Sequence, residues 1–162
     1  MVAFKPKDRL KTIKEILNHE WFKEINNDTY KTKAIILAMG VNNKKTGLDN
    51  EDKFLGRGLS YCATCDGAFY KDKIVAVVGG GNTAIEDAIY LSDIAKKVYL
   101  IHRRDAFRAE DVSVDLLKNK ENVEFVLNSK VVKINGDNKI ESIDVNTNET
   151  INNILVDGLF VA

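Results

Sequence analysis

"KIVAVVGGGNTAIEDAIYLSDIAKKVYLIHRR", residues 73 to 104, constrains the fold of this chain more than any other stretch. An apolar run ends on glycines, a helical stretch follows, and a second short apolar run closes the unit. That order reads strand, glycine turn, helix, strand: a βαβ unit of about thirty residues. Such a crossover makes its two strands parallel neighbours in one sheet. Strands 74–78 and 98–102 are therefore expected side by side, with the glycine turn at the carboxyl edge.

The turn has the form Gly79-x-Gly81-x-x-Ala84. Glycine there lets the backbone approach a pyrophosphate, and the opening helix offers free N–H groups and positive potential. Ala84 suffices at the third position, because only close helix–strand packing is required. Glycine-rich turns of this kind also serve plain packing, so the turn alone is a weak signal. The second strand adds the discriminating feature. An NAD site calls for a carboxylate near its end, to accept a hydrogen bond from the ribose 2′-hydroxyl. Here the strand runs into His102-Arg103-Arg104, with Arg108 a helical turn beyond. Guanidinium groups bind phosphate oxygens in charge-assisted pairs, whereas a carboxylate repels them. The spacing points to NADPH over a solvated basic loop.

Both cysteines of the chain, Cys62 and Cys65, lie in "SYCATCDG" just ahead of that unit. Zinc ligands, a redox pair and buried bystanders are the three readings. A structural zinc site takes four ligands. The only histidines are His19 and His102, and the second already stands at the phosphate position. A CxxC closes into a disulfide and reopens as a dithiol, and a carboxyl such as Asp66 can shuttle the proton each step needs. Redox chemistry is the favoured reading, with no metal site.

Elsewhere, Ile13, Ile16, Leu17, Trp21 and Ile25 recur at helical spacing, and "AIILAMG" (34–40) reads as a buried strand ended by glycine. "AEDVSVDLLKNK" reads as a further helix. "VEFVLNSKVVKING", "NKIESIDVN" and "TINNILVDGLFVA" read as short strands with Asn, Gly and Asp turns. The expected fold class is thus α/β, a Rossmann-like parallel sheet with a glycine turn plus a three-stranded antiparallel meander. Lysine plus arginine and aspartate plus glutamate balance at 24 each, so no basic surplus points to nucleic acid or anionic membrane. No apolar run approaches the roughly 20 residues of a membrane span. The start, "MVAFKPKDRL", lacks the apolar core and cleavage site of a secretion signal, which favours a cytoplasmic protein.

Taken together, "GRGLSYCATCDGAFYKDKIVAVVGGGNTAIEDAIYLSDIA" and "VYLIHRRDAFRA" closely resemble the pyridine-nucleotide domain of bacterial-type (low molecular weight) thioredoxin reductase. The resemblance covers roughly residues 30 to 162. It implies a domain inserted between two segments of a larger FAD-binding domain, with electrons passing from NADPH to FAD, to the CxxC disulfide and to thioredoxin. Carried over by position, Cys65 faces the flavin, Cys62 attacks the thioredoxin disulfide, and Asp66 is the acid–base group. Gly79, Gly81, Asn82, Thr83 and Ala84 line the pyrophosphate turn, with Glu86 toward the nicotinamide. Arg103, Arg104 and Arg108 hold the 2′-phosphate, with His102 beside the adenosine. Gly40 stands near the flavin where FAD is bound. A homodimer is implied for the complete enzyme.

The resemblance leaves parts unmatched. The family's amino-terminal GxGxxG, its flavin-contacting segment and its carboxy-terminal Gly-Asp motif are missing, so FAD is not expected to bind this chain, and the chain alone is expected to be inactive. "GLFVA" ends it inside an apolar run, which suggests truncation. Residues 1–27 look foreign to that family. "MVAFKPKDRLKTIKEILNHEWF" faintly resembles the end of a protein-kinase C-lobe, with Arg9, His19, Trp21 and Phe22 at matching places, and reads equally as a plain amphipathic helix. The expected division is 1–27, an amino-terminal helical segment; 28–55, a remnant of the FAD domain with a connecting strand; 56–155, the NADPH domain with the CxxC; and 156–162, the start of a second connecting strand. Two other readings stay open: an NADPH-binding fragment without turnover, and the flavoprotein reductase of the alkyl hydroperoxide system. The second typically has a different pair between its cysteines and a nicotinamide without the 2′-phosphate.

Overall fold

The computed structural model describes residues 45–162, which lie in one compact unit. The helical periodicity of residues 12–25, the apolar run 34–40, Gly40 and the kinase-like positions Arg9, His19, Trp21 and Phe22 lie outside the described residues.

The βαβ unit forms as its sequence dictates. Strand β2 (Ile74–Val78) runs into the glycines, α3 (Asn82–Ser92) follows, and β3 (Lys97–Ile101) returns parallel to β2 in the register Ile74↔Lys97 to Val78↔Ile101. Upstream lie two short helices, α1 (Glu51–Phe54) and α2 (Ala63–Asp66), on either side of the two-residue strand β1 (Leu59–Ser60); a 3-10 turn (Gly67–Tyr70) follows α2. Downstream, α4 (Asp111–Lys118) leads into β4 (Val123–Val126). Strands β5 (Ser129–Asn135), β6 (Ser142–Thr147) and β7 (Thr150–Leu155) make an antiparallel sheet, and β8 (Gly158–Val161) completes the parallel one.

The parallel sheet has the order β1-β8-β2-β3-β4. Side chains alternate across it with period 2. Val75, Val77, Val98, Leu100 and Phe160 face the helices and pack with Ala84, Ile85, Ala88 and Leu91 of α3 and Val114 and Leu117 of α4. Ala76, Ile101 and Leu159 face the other way, onto Ile134, Ile143 and Val145 of the meander and Phe54 of α1. One face of the sheet is covered by helices and the other by the meander. Residues 45–55 join this core through Phe54, which is fully buried.

Two stretches are each shared between the two sheets. "VEFVLNSKVVKING" is two strands in two sheets, broken at Asn128, whose φ of 50° is left-handed. Asparagine tolerates that conformation better than most residues, and one such residue suffices to turn the chain out of the sheet. "TINNILVDGLFVA" divides likewise. Asp157 interrupts it, with its N–H on the Ile74 carbonyl (2.7 Å) and its carboxylate accepting the Ile74 N–H (3.0 Å). Val156–Ala162 thereby delivers β8 into the sheet between β1 and β2.

The two-sided core sets a clear contrast in stability. Ile143 is completely buried between sheet and meander, whereas Leu155, on the edge strand β7, is 70% exposed. Ile143→Ala should destabilise by about 2–5 kcal/mol through lost transfer energy and a residual cavity. Leu155→Ala should stay within about 0.5 kcal/mol. Urea unfolding of both variants checks this, and comparable losses would mean that the meander does not supply the second core.

Candidate functional site

A groove of about 440 Å³ opens at the carboxyl edge of the parallel sheet. Its floor is the turn Gly79–Gly81 and the start of α3 at Thr83 and Ala84. The first amides of a helix have no intrahelical acceptor, and no side chain caps α3. Those N–H groups and the helix dipole together favour an anion there. A Cβ on Gly79 would stand 2.6 Å from the Ala84 Cβ, so glycine is required for α3 to approach the strand. A Cβ on Gly81 would meet nothing within 4 Å, leaving open space over the turn. The walls carry Lys45, Arg103, Arg108 and Lys130, and among the described residues that line the groove there is no acidic side chain. Although the chain is neutral overall, this edge is locally cationic. The donor set suits a ligand bearing several phosphates, as a pyridine nucleotide does.

The loop after β3 is drawn over the turn by two backbone contacts. The Arg108 N–H donates to the Gly80 carbonyl (2.8 Å), and the Glu110 N–H donates to Asn82 Oδ1 (3.0 Å). Asn82, expected at the pyrophosphate turn, also anchors this loop. Thr83 lines the groove; Glu86 is exposed on α3 and does not line it. Arg103 and Arg108 line the groove, and Arg104 does not.

His102, expected beside the adenosine, is among the residues that line the groove. It is largely buried, stacks on Phe107 with ring centroids 5.3 Å apart, and has Nε2 3.2 Å from the Ala106 carbonyl. A Cβ on Gly80 would collide with its imidazole ring, so the middle glycine, which the x-positions of the sequence pattern left unassigned, is the one pressed against His102. Burial pushes the imidazole below its ordinary value, the Ala106 contact opposes this, and Arg104, Arg103 and Arg108 push it lower still.

Cys62 and Cys65 form a disulfide, with Cα atoms 5.2 Å apart. Cys62 caps α2, its Sγ accepting the Cys65 N–H at 3.2 Å. Cys65 is exposed and Cys62 half-buried. Asp66 ends the same helical turn, and its carboxylate accepts the Ser60 hydroxyl at 2.6 Å.

Several participants left no readable signal in the sequence. Lys45, Thr46, Ser129 and Lys130 reach the groove from segments remote in the chain. Ser129 is fixed there by its N–H on the His102 carbonyl (2.9 Å). Glu51, on α1, is buried and accepts hydrogen bonds from the Thr46 N–H and hydroxyl, the Gly47 N–H and the Tyr61 hydroxyl. Burial raises its carboxyl, but those four donors outweigh it and hold the group below the ordinary glutamate value. Glu51 ties a wall of the groove to the neighbour of Cys62. Among the described residues no cluster of His, Cys, Asp and Glu could hold a metal ion, and no helix is long and apolar enough to cross a membrane.

One compact unit thus carries a cationic, glycine-floored groove and a CxxC disulfide with a carboxylate on the same helical turn. The chain belongs to the pyridine nucleotide-disulphide oxidoreductase family, whose model matches residues 7–162. The match thus takes in most of the amino-terminal segment that the sequence sets apart. Thioredoxin reductase of Helicobacter pylori is 47% identical over 137 residues, 82% of this chain and 44% of that protein. Thioredoxin reductase of Escherichia coli O157:H7 is 45% identical over 144 residues, 85% and 45% of the two chains. Among solved structures, Lactococcus lactis thioredoxin reductase in its FR conformation superposes with a TM-score of 0.76 at 35% identity, over 83% of this chain and 46% of that one. The chain spans less than half the length of these relatives.

The groove geometry separates the three arginines. Charge-assisted hydrogen bonds contribute on the order of 1.5–3 kcal/mol where partly desolvated, so Arg103→Ala and Arg108→Ala should each weaken NADPH binding by about tenfold or more. Arg104→Ala should cost distinctly less. Calorimetric titration with NADPH and NADH checks the pattern; equal losses with both nucleotides would mean that the arginines only support the fold.

His102 gives a pH dependence. Its folded value lies below the ordinary 6.5, so the unfolded chain takes up its proton first as pH falls. The stability that neutral His102 contributes is complete above about pH 6.5 and lost below it. Urea midpoints at pH 7, 6 and 5 should fall more steeply for the wild type than for His102→Gln. Identical slopes would remove His102 from the acid response.

Proposed function

We propose that this chain provides the NADPH-binding and redox-disulfide part of a thioredoxin reductase, an NADPH-dependent disulfide oxidoreductase. One observation carries the reading: a cationic groove over a glycine turn, with no acidic side chain among its described lining residues, shares a compact unit with the Cys62–Cys65 disulfide and Asp66. In this reading residues 28–55 and 156–162 are the stretches through which the unit joins an FAD-binding part, and the complete enzyme is a homodimer acting in the cytoplasm.

When bound, NADPH supplies a hydride, and FAD in the complete enzyme relays its two electrons. The residues of this chain bind and orient. The Gly79–Gly81 turn admits the pyrophosphate close to the backbone, and the first amides of α3 donate to it. Arg103 and Arg108, with Arg104 in the outer field, select the 2′-phosphate. The disulfide takes up two electrons and two protons to become a dithiol, with Asp66 exchanging protons with solvent. The Cys62 thiolate, favoured by the Cys65 N–H that already points at its sulfur, attacks the disulfide of thioredoxin and forms a mixed disulfide. The Cys65 thiolate then attacks Cys62 Sγ, which restores the internal disulfide and releases reduced thioredoxin. Ala63-Thr64 between the cysteines and the arginine wall favour this substrate over the partner of an alkyl hydroperoxide flavoprotein reductase.

The test begins with the chain reduced by dithiothreitol and freed of reductant. On mixing with oxidised thioredoxin, one equivalent should reduce one thioredoxin, counted as new thiols. Cys62→Ser should abolish the transfer, and Cys65→Ser should trap the mixed disulfide. NADPH should bind more tightly than NADH by calorimetry. A dithiol inert toward thioredoxin, or a chain without preference for NADPH, would overturn the reading.

A further inference from the structure

Ser60 is 3% exposed in β1, opposite Phe160 of β8, and makes polar contacts on two sides. A serine hydroxyl has one proton to donate and lone pairs to accept with. That proton has two acceptors in reach, Asp66 Oδ2 at 2.6 Å and the Cys62 carbonyl at 3.3 Å, and the shorter contact to the carboxylate takes it, while Oγ accepts the Cys62 N–H at 3.0 Å. The Asp66 N–H in turn donates to the Cys62 carbonyl at 3.1 Å. Among the described residues, Ser60 is the hydrogen-bond donor to the Asp66 carboxylate. One buried side chain therefore fixes both the backbone at Cys62 and the carboxylate at the end of the same turn.

The surroundings offer little else to hold that carboxylate. The 3-10 turn after it brings the Tyr70 phenol, which burial, then the carboxylates of Asp66 and Asp157, push up. From α3, Tyr90 and Leu91 pack against Gly67, the residue after Asp66. From β8 the side chain opposite Ser60 is the apolar Phe160.

We infer that Ser60 is a positioning residue that aims the Asp66 carboxyl for proton exchange with the cysteine pair; this rests on the acid–base role of Asp66 proposed above. Opening the disulfide with a dithiol makes the balance explicit. A reagent thiolate attacks the exposed Cys65 Sγ, the S–S bond breaks, and its electron pair leaves on Cys62 Sγ, which takes a proton. The second reagent thiolate then displaces Cys65, which takes the other proton. The reagent ends as a disulfide, two electrons and two protons poorer. A carboxyl free to rotate into solvent delivers those protons less often than one pinned beside the turn.

A double-mutant cycle on the 162-residue chain tests this, reading the rate of disulfide opening by dithiothreitol across pH 6 to 8. Asp66→Asn should slow the reaction and flatten its pH profile relative to the wild type. Ser60→Ala should slow it by about tenfold near neutral pH. In the Asp66→Asn background the same Ser60→Ala change should have almost no further effect. Ser60→Thr, which keeps the hydroxyl while disturbing the packing at least as much, should stay within about threefold of the wild type. Independent, multiplying effects of Ser60→Ala and Asp66→Asn would overturn the inference and leave Asp66 its role. Equal losses for Ser60→Thr and Ser60→Ala would overturn it in favour of packing. A rate and profile untouched by Asp66→Asn would overturn both the inference and the acid–base role of Asp66.

Discussion

The insertion of β8 between β1 and β2 is the pairing on which the rest of this unit hangs. A parallel strand cannot satisfy its N–H and C=O groups through a tight turn, so each partner must come from a distant part of the chain. Gly158–Val161 pairs with Val75–Val78 on one side and with Leu59–Ser60 on the other. At its amino end Gly158 lies under the Tyr70 ring, where a Cβ would collide, and Tyr70 contacts Phe160 edge-on at 5.2 Å. At its carboxyl end Ala162 donates its N–H to the Val78 carbonyl and packs beside Gly79. One short strand thus braces both the glycine turn and the segment after the cysteines. The nucleotide groove and the redox turn share this support.

Opposed demands meet at the glycine turn. A phosphate-bearing ligand needs backbone without side chains, which leaves the turn intrinsically weak. Support comes from beneath: His102 fills the space against Gly80, Phe107 stacks on His102, and Phe125 meets Phe107 at 5.8 Å. A neutral imidazole suits this place better than a charged one, because it is buried and the arginines of the same loop already supply positive charge. The arginines stay exposed at the rim, and the histidine is spent on holding the turn.

A similar division of labour holds around the cysteines. The disulfide is within reach of solvent at Cys65, but the groups that orient it are buried: Ser60 below the turn, and Glu51 behind Tyr61. Glu51 satisfies four donors at once, so the short polar segment around Thr46 and Gly47 is locked in place. That lock also places Lys45 and Thr46 in the wall of the nucleotide groove.

Local period and local chemistry made the βαβ unit legible. Ile74–Val78, the glycines, α3 and Lys97–Ile101 follow from residues within one or two turns of each other, as does the pair Cys62 and Cys65. The meander was legible in kind but not in its limits, because an apolar run carries no mark of which sheet will receive it. Only the fold shows that the break between β4 and β5 falls at Asn128. The arginine cluster was readable as a phosphate signal, yet which arginines reach the groove depends on the Arg108–Gly80 and Glu110–Asn82 contacts that bend the loop. Lys45, Lys130 and Glu51 carry no motif, and Ser60 lies in the cysteine motif with nothing in the sequence to mark its role. The sequence by itself determined the chemistry on offer: a phosphate turn, guanidinium groups, a dithiol and a carboxyl. Tertiary structure decided which of these groups meet, because long-range strand pairing and burial choose among partners that periodicity leaves equivalent.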